Sequence, residues 1–341
     1  MGSRPRLKPS IADALADWYR RGHRDLPWRH TSDPYCIWVS EVMLQQTRAQ
    51  AVIPYYERFL ARFPTVEALA ASAEEEVLAL WSGLGYYSRA RNLRRAARQI
   101  QASGGFPYTY ERIRTLPGIG DYTAAAIASI AFGLPHAVVD GNVLRVVARV
   151  ENDSSDIASA PTRERFRKVA QAWLEESVGS AGPGLFNQAL MELGATVCLG
   201  RNPMCLVCPL ASACGARVHG TAGGLPVKLR TVELVQLERT LLVVRRRSRV
   251  LLRRIEADAR RMPGFWELPA TAALPQARIG AVMGQFRHSI TYHRYLFTVA
   301  HASVRLPSNQ DGVFRWFAPA EVASIPLSTT ARKALHMAGI L

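Results

Sequence analysis

Leu116-Pro117-Gly118-Ile119-Gly120-Asp121-Tyr122-Thr123 joins two segments whose apolar residues recur at three- and four-residue spacing. The glycines Gly118 and Gly120 allow a tight turn and a close approach of the backbone to a neighbour. Asp121 opens the second segment, and the N–H groups at the N-terminus of a helix form a site for an anion. The stretch therefore predicts two helices joined by a turn that presents backbone donors.

This turn has two interpretations. It has the arrangement of a helix-hairpin-helix, in which the backbone of Leu116, Gly118 and Gly120 binds a DNA phosphate without reading the base sequence. The alternative is an ordinary turn between packed helices, and the turn by itself does not decide between the two. The rest of the sequence supplies the context.

The pattern of apolar residues predicts two domains. Helical spacing continues from about residue 11 to residue 195 and predicts an all-helical domain over residues 1–217, with the hairpin at about 108–131. A stretch rich in glycine then predicts a linker over 218–230. Beyond it we expect an α+β domain over 231–341 with a closing helix at Thr329–Ala338 and short strands at Leu241–Val244, Val250–Arg253, Tyr295–Ala300 and Phe314–Ala318.

Bulk composition excludes several classes of protein. The chain has 341 residues, of which 48% are hydrophobic and 21% charged, so global disorder is excluded. The longest apolar runs, such as Ala124–Ile130, are far shorter than the ~20 residues that cross a bilayer. The basic residues 1–9 are not followed by an apolar segment, so we expect no secretory signal, no membrane partner and a cytoplasmic, nucleoid-associated protein.

The net charge indicates a polyanionic partner. Lysine and arginine number 43 against 27 acidic residues, which gives a formal charge of +16 and a pI near 10.2. A protein this basic most often binds nucleic acid or an anionic membrane. The alternative is an organism whose proteins are all rich in arginine.

A carboxylate follows the hairpin at a second helix start. Asp140 comes directly after the apolar pair Val138-Val139 and before the segment that begins at Gly141. The helix dipole and the first N–H groups stabilise a negative charge there, so we expect the carboxylate to be ionised at neutral pH. The alternative role is that of an N-cap residue, and both roles can hold together because capping also fixes the position of the carboxylate.

Four of the five cysteines lie close together in the sequence. Cys198, Cys205, Cys208 and Cys214 have the spacing C-x6-C-x2-C-x5-C. In a cytosolic chain such clustering indicates a metal site rather than disulfides. Four thiolates can hold zinc or a [4Fe–4S] cluster, and the uneven loop matches neither a zinc ribbon nor a ferredoxin pattern. The spacing by itself therefore leaves the metal open.

The order of hairpin, aspartate and cysteine loop resembles the endonuclease III superfamily of base-excision DNA glycosylases, in which this cysteine spacing holds a [4Fe–4S] cluster. Within that superfamily the chain is similar to the MutY-type adenine DNA glycosylases. Four further motifs carry this second resemblance: Leu26-Pro27-Trp28-Arg29, Ser40-Glu41-Val42-Met43-Leu44-Gln45-Gln46-Thr47, Gly83-Leu84-Gly85-Tyr86-Tyr87 and Phe186-Asn187-Gln188-Ala189-Leu190-Met191-Glu192-Leu193-Gly194. The match covers nearly all of residues 11–217.

The resemblance implies a chemistry for two carboxyl groups. The family removes adenine paired with 8-oxoguanine, which requires an acid that protonates the base and a negative charge that stabilises the cationic sugar. By resemblance Glu41 is the acid and Asp140 stabilises the cation, with Tyr122 and Asn142 supporting Asp140. The apolar neighbours of Glu41 predict burial and a raised pKa, whereas the alternative is a surface charge.

The reaction type follows from one aromatic residue. Tyr122 stands where bifunctional relatives have a lysine, and a phenol cannot form the imine through which those enzymes cut the strand. The resemblance therefore implies a monofunctional hydrolysis of the N-glycosidic bond that leaves an abasic site. The alternative role of Tyr122 is that of an aromatic side chain that packs on the hairpin.

Further residues are assigned to the DNA by the resemblance. A base that is flipped out of the duplex needs a pocket of matching shape, which the resemblance places at Leu26, Trp28, Arg29 and Glu192. Contacts within the base stack around the mispair are implied at Gln46, Thr47, Leu84 and Tyr86. Trp28 and Leu84 would otherwise be ordinary core residues.

The resemblance also assigns a role to the C-terminal domain. In the family this domain resembles Nudix hydrolases and recognises 8-oxoguanine through a Phe-Ser-His loop, and Met262-Pro263-Gly264-Phe265-Trp266-Glu267-Leu268-Pro269 resembles its early motif. No acidic metal-binding helix follows, so we do not expect nucleotide hydrolysis. The loop departs from the pattern, because Thr291 stands for the serine and either Tyr292 or His293 for the histidine. A β-hairpin with cross-strand aromatics is the alternative.

The predicted fold is thus an all-α helix-hairpin-helix glycosylase domain with a [4Fe–4S] loop at residues 198–214 and a C-terminal α+β, Nudix-like domain. We expect a monomer that acts on double-stranded DNA containing A:8-oxoguanine or A:G. Two other functions stay open, a thymine- or uracil-mismatch glycosylase and a protein that binds lesions without cleavage. Glu192 and the C-terminal domain argue against the first, and the pair Glu41 and Asp140 argues against the second.

Overall fold

The computed structural model describes residues 10–178, 181–229, 234–256, 258–259, 262–290, 292–305 and 313–341. Its internal contacts divide the chain into two compact units. The first consists of Met1–Ala70 and Arg95–Thr231, and the second of Ala71–Arg94 and Val232–Leu341. The grouping of Ala71–Arg94 with the C-terminal residues was not predicted from the sequence.

Helices form the chain up to residue 218, as the apolar spacing predicts. Several begin with a side chain that accepts hydrogen bonds from the first turn, such as Ser10 and Ser159. Among the described residues, no helix is both long and apolar enough to span a membrane. The helices are α1 (Ile11–Arg21), α2 (Pro34–Leu44), α3 (Ala49–Arg62), α4 (Val66–Ala71), α5 (Glu74–Trp81), α6 (Ser88–Ala102), α7 (Tyr110–Arg114), α8 (Asp121–Phe132), α9 (Gly141–Val150), α10 (Ala160–Ser177), α11 (Pro183–Thr196) and α12 (Gly215–Val218).

The core of the first unit lies where α1, α9, α10 and α11 meet. Leu15, Val147, Phe166 and Phe186 are fully buried there, and the burial of each such side chain stabilises the fold by about 1.5–3 kcal/mol. The alanines Ala124, Ala125, Ala126 and Ala128 of α8 allow α2 and α11 to pack closely against that helix. Residues of α2, α8, α11 and the start of α9 are thereby collected in one region.

The C-terminal residues form a mixed sheet. Its strands are β1 (Val235–Arg246), β2 (Arg249–Arg254), β3 (Trp266–Glu267), β4 (Arg278–Ile290), β5 (His293–Ser303) and β6 (Phe314–Phe317), followed by helices α13 (Pro319–Ser324) and α14 (Thr329–Met337). The strand order is β3-β2-β1-β5-β4, and β6 pairs with β2. Strand β1 runs parallel to β5, with Leu241 opposite Val299, whereas β4 and β5 are antiparallel.

The sequence pattern predicted fewer and shorter strands than this sheet contains. Strands β1, β2 and β5 extend beyond the predicted runs, and β3 and β4 are not among those runs, although the alternative of a hairpin at the Thr291 loop implies a strand before that loop. The first half of β4, from Arg278 to Val282, is exposed and has no alternation of apolar and polar residues, so it carries no period-2 signal. The closing helix is observed at Thr329–Met337, one residue shorter than predicted.

The segment predicted to be a linker packs against the first unit. Leu225 is buried, and its carbonyl accepts a hydrogen bond from Arg149 Nε at 3.0 Å. The N–H of Ile157 donates to the carbonyl of Val227 at 3.0 Å. Residues 221–229 therefore belong to the first unit as far as their contacts are described.

Candidate active site

Two carboxyl groups that are far apart in the sequence lie in one site of the first unit. Glu41 is on the buried face of α2, and Asp140 is the N-cap residue of α9. Tyr122, from the first turn of α8, interacts with both. Burial, and then the charges of the two carboxyl groups, raise the pKa of the Tyr122 hydroxyl well above 10.0, so the phenol stays neutral.

Glu41 is poised to hold a proton near neutral pH. Its side chain is only 5% exposed, and burial raises its pKa to about 7. The hydrogen bond with Tyr122 and the charge of Arg29 act in the opposite direction, while the charge of Asp140 adds to the rise. Its Oε2 atom has no hydrogen-bond partner among the described residues. Glu41 is thus a buried acid with one oxygen open to a further partner.

Asp140 caps α9, which is one of the two roles expected for it. Its Oδ1 atom accepts from the N–H of Val143 and its Oδ2 atom from Asn142 Nδ2, each at 2.8 Å. Burial raises the pKa of the carboxyl group, and these hydrogen bonds oppose that rise. Capping therefore fixes the carboxylate and stabilises its charge at the same time.

Two arginines hold the buried carboxylate of Glu192. Arg24 donates to it through Nε at 2.9 Å and Nη2 at 2.7 Å, and Arg29 donates through Nη2 at 2.6 Å. Burial alone would raise the pKa of Glu192, but these hydrogen bonds and charges lower it to about 2. Glu192 is consequently a carboxylate that stays ionised although its side chain is 2% exposed.

We expect Glu192→Gln to lower the free energy of unfolding at pH 7 by about 3 kcal/mol, because it leaves two guanidinium groups beside a neutral, buried amide. Since the pKa of Glu192 falls on folding from 4.5 to about 2, the stabilisation is present above pH 4.5 and is lost as the pH falls through about 2. Urea unfolding of both proteins measures the difference. Glu164→Gln is the matched control, because Glu164 and its partner Arg167 are both half exposed and solvent screens such a pair so that it contributes little to stability. Equal losses in the two variants would contradict the expectation.

The hairpin joins α7 to α8 with the predicted geometry. Gly118 has φ of 79°, a conformation that favours glycine, and Gly120 is the N-cap residue of α8. Leu116 is buried, which anchors the turn, and Arg114 forms an ion pair with Asp121 at the helix start. The first N–H groups of α8 have no acceptor within the helix, as in any helix N-terminus. The turn can therefore present donors to an anion.

The four clustered cysteines line one cavity together with Arg149. Burial, and to a smaller extent the neighbouring cysteine groups, raise the pKa of Cys208 to about 11. Arg149 Nη1 lies 3.2 Å from Cys198 Sγ. Within the described ranges no three His, Cys, Asp or Glu side chains already stand in a coordinating arrangement, but four soft sulfur donors around one cavity fit a metal group that is bound by thiolates.

Comparison with known proteins agrees with this geometry. Residues 39–173 match the model of the HhH-GPD superfamily base excision DNA repair protein. Residues 39–173 are therefore similar to that superfamily. The resemblance to adenine DNA glycosylases is confirmed by relatives of that name: the human protein is 47% identical over 60% of this chain, and that of Mycobacterium tuberculosis is 44% identical over 58%.

The chain spans only part of these relatives, 39% of the human protein and 64% of the mycobacterial one. Among solved structures, a thermostable thymine-DNA glycosylase is similar with a TM-score of 0.55 and 27% identity over 61% of this chain and 95% of its own. A trapped endonuclease III–DNA covalent intermediate has a TM-score of 0.50 and 23% identity over 61% of this chain and 94% of its own, which supports the shared fold.

Two residues of the predicted adenine pocket are largely buried. Leu26 is 4% and Trp28 is 7% exposed. The rings of Trp28 and Tyr56 pack in a T-shaped arrangement at a centroid distance of 5.5 Å. Trp28 therefore has a packing role in the first unit.

The predicted base-stack residues differ in exposure. In the first unit Gln46 is exposed with φ of 61° and Thr47 is half-buried. In the second unit Leu84 is buried, whereas Tyr86 is 51% exposed. Gln46 and Tyr86 thus present side chains to solvent from constrained backbones, while Leu84 packs as a core residue would.

The predicted 8-oxoguanine loop is described in part. Thr291 lies outside the described residues. Tyr292 is 56% exposed, and its carbonyl accepts from the N–H of Val235 at 3.0 Å. His293 begins β5 and its Nδ1 atom has no hydrogen-bond partner among the described residues. The antiparallel pairing of β4 with β5 also fits the alternative of a hairpin with cross-strand aromatics, since Phe286 and Phe297 stack at 5.2 Å.

Sequence reasoning missed two arginines of this region. Arg24 holds Glu192, as described above. Arg145 donates through Nη2 to Asn142 Oδ1 at 2.8 Å and through Nε to the Cys198 carbonyl at 2.7 Å. Neither arginine lies in a recognisable sequence motif, so no sequence pattern indicated these contacts. The glycine at 194 did lie in a quoted motif, and a Cβ there would lie 2.6 Å from Cβ of Asn142, so α11 could not approach α9 so closely with a larger residue.

Proposed function

We propose that this chain is an adenine DNA glycosylase that removes adenine paired with 8-oxoguanine or guanine and leaves the abasic strand uncut. One observation carries the proposal: a buried glutamic acid whose pKa is about 7 shares a site with a hydrogen-bonded aspartate and a neutral tyrosine. Two carboxyl groups in different environments are what acid-assisted cleavage of an N-glycosidic bond requires.

In the proposed reaction, protonated Glu41 donates its proton to N7 of the flipped adenine. The bond from C1′ to N9 then breaks, and its electron pair leaves with the neutral base. The carboxylate of Asp140 stabilises the positive charge on the sugar. Glu41, now ionised, accepts a proton from the water that attacks C1′, which restores the acid.

Tyr122 accounts for the monofunctional outcome. The phenol donates a hydrogen bond within the site and stays neutral, and it has no amine that could attack C1′ to form an imine. The sugar cation is therefore captured by water. The product is an abasic site in an uncut strand.

Recognition of the base is proposed for the Glu192 side of the site. An ionised carboxylate accepts hydrogen bonds from the exocyclic amine of adenine, and the two arginines keep it ionised. A buried acceptor that lacks its donor is costly, so a base with a carbonyl at that position would bind less well. This arrangement favours adenine over thymine or uracil.

The DNA backbone is proposed to bind the hairpin and the basic surface. Donors at Gly118, Gly120 and the start of α8 face one phosphate. The formal charge of +16 supplies the rest of the attraction, and binding should weaken as salt rises.

A [4Fe–4S] cluster is proposed at Cys198, Cys205, Cys208 and Cys214. When bound it supplies a cross-link that orders residues 198–214 and no electrons for the cleavage. Arg201 is exposed in this loop and would then be held where it can contact a phosphate. The C-terminal region is proposed to be Nudix-like and to read 8-oxoguanine near Thr291, Tyr292 and His293, in a chain that acts as a monomer.

The substrate is tested by incubation with four duplexes, which carry A:8-oxoguanine, A:G, T:G or U:G, followed by alkali. We expect breakage of the adenine strand in the first two and no breakage before alkali. Breakage of only T:G or U:G would replace the proposal with a thymine- or uracil-mismatch glycosylase; one structurally similar protein is a thymine-DNA glycosylase. Binding without breakage of any strand would indicate a lesion-binding protein.

The pH dependence tests the acid. Because burial raises the pKa of Glu41 to about 7, the active protonated form persists to neutral pH and is lost as the pH rises. We expect the single-turnover rate on A:8-oxoguanine to fall about tenfold for each pH unit above about 7. Rates between about pH 6 and pH 9 measure this, and a rate that stays constant over that range would exclude Glu41 as the proton donor.

A further inference from the structure

The loop Gly83–Tyr86 of the second unit presents an aromatic ring from a constrained backbone. Tyr86 is 51% exposed and has φ of 50°, and its neighbours Gly83 and Gly85 have φ of 113° and 72°. A tyrosine in the left-handed region persists only where its surroundings hold the backbone. An exposed ring that is held in one place is suited to stacking on a nucleic-acid base.

The middle of the loop is fixed by its own flanking residues. The indole Nε1 of Trp81 donates to the Gly85 carbonyl at 3.1 Å. Arg89 Nη2 donates to the same carbonyl at 3.0 Å, and its guanidinium lies over the rings of Trp81 and Tyr86 at 5.3 and 5.6 Å. Gly85 is therefore held by two donors, next to the exposed ring.

Both ends of the loop are bound to one carbonyl from the C-terminal residues. Ser82 Oγ donates to the Leu327 carbonyl at 3.3 Å, and the Tyr87 hydroxyl donates to the same oxygen at 3.4 Å. The N–H of Gly83 donates in turn to the Tyr87 hydroxyl at 3.4 Å. Arg332 Nη2, one turn into α14, donates to Ser82 Oγ at 3.0 Å. These bonds connect the entry and the exit of the loop.

Leu327, whose carbonyl accepts these hydrogen bonds, is itself fixed by packing. Leu327 is fully buried just before the start of α14. The ring of Tyr87 packs on that of Phe265 at a centroid distance of 4.1 Å, and both side chains are buried. Phe265 lies in the motif Met262–Pro269, which the mechanism does not use. Packing against these C-terminal residues thus fixes the Leu327 carbonyl and the Tyr87 ring in position.

We propose that the Leu327 carbonyl and Arg332 form an anchor through which the C-terminal residues position the loop Ser82–Tyr87, so that Tyr86 is presented to the base stack at the mispair. The proposal rests on the proposed function, because it requires DNA as the ligand. Ser82, Tyr87 and Arg332 are positioning residues that need not touch the DNA. The anchor restricts Tyr86 already in the free protein, so that Tyr86 loses less conformational entropy when DNA binds.

The double variant Ser82→Ala/Tyr87→Phe in the full chain tests the anchor. It removes both donors to Leu327 and keeps the ring that packs on Phe265. We expect the amide hydrogens of residues 83–88 to exchange about tenfold faster in the free protein, and the affinity for an A:8-oxoguanine duplex to fall about tenfold. The cleavage rate of the bound complex should stay within about twofold, because no group that touches the reacting atoms has changed.

Two further variants make the test specific. Thr330→Ala is the matched control, since the Thr330 hydroxyl lies at the start of the same helix and interacts with Ser328 Oγ at 3.1 Å; it should leave exchange and affinity unchanged. Arg332→Ala should accelerate the amide exchange of residues 83–88 less than the double variant does. Arg332→Lys should keep the slow exchange of the unaltered protein, since an ammonium group can still donate to Ser82 Oγ. If the double variant does not fold, Arg332→Ala and Arg332→Lys still test the anchor.

Each outcome decides one point. Unchanged exchange in both the double variant and Arg332→Ala overturns the anchor. Faster exchange with unchanged duplex affinity overturns the link between the loop and DNA. If the unaltered protein cleaves no duplex, the proposed function fails instead, and the exchange comparison still decides whether the loop is anchored through Leu327.

Discussion

Glu41→Gln should reduce the single-turnover rate of adenine removal by about 10³-fold, at the centre of the range for loss of a general acid. Glutamine has the same shape as glutamic acid but no proton to donate at N7, and a neutral side chain suits the buried position. Rates measured with excess protein over an A:8-oxoguanine duplex give the effect. Gel-shift affinity for the same duplex should change by only a few-fold.

The matched control for this variant is Glu57→Gln, because Glu57 is exposed on α3. It should retain the rate of the unaltered protein. If Glu41→Gln cleaved adenine within about threefold of that rate, the proton would have to come from another group, and the proposed mechanism would be wrong.

Asp140→Asn should reduce the same rate by about 10²- to 10³-fold, because an amide cannot stabilise a cationic sugar as a carboxylate does. Asparagine is as good an N-cap residue as aspartate, so α9 should still form and the duplex should still bind. Thermal unfolding and duplex affinity measured beside the rate separate the loss of charge from a loss of structure.

Asp33→Asn provides a second N-cap for comparison. Asp33 caps α2 and accepts from the N–H of Tyr35 at 2.8 Å, as Asp140 caps α9. The same exchange at Asp33 should leave cleavage unchanged. Full activity in Asp140→Asn would mean that Asp140 serves only to cap its helix.

Local features of this fold were predictable because they depend on neighbouring residues. The apolar spacing predicted α8 and α9, and the position of Asp140 after an apolar pair predicted its capping of α9. Burial of Glu41 also followed from its apolar neighbours. In each case the signal and the structure lie within one or two helical turns.

Features that depend on distant residues were not predictable in this way. That Glu41 and Asp140 would meet was implied by family resemblance and not by any spacing. Arg24 reaches Glu192 across most of the first unit's sequence, and an arginine in a turn carries no signal of its partner. Strand β4 lacks alternation in its exposed half, so its full length is revealed by its pairing with β5.

The partition of the chain has a practical consequence for fragments of this protein. A truncation before β1 would remove Phe265 and Leu327 and leave the ring and hydroxyl of Tyr87 without their packing and hydrogen-bonding partners. The remaining helical piece would expose the ring of Tyr87, which packs on Phe265 in the full chain, and newly exposed apolar surface favours self-association. Proteolytic cleavage in the segment 218–230, which the sequence predicts to be the domain boundary, should therefore yield a helical fragment that aggregates.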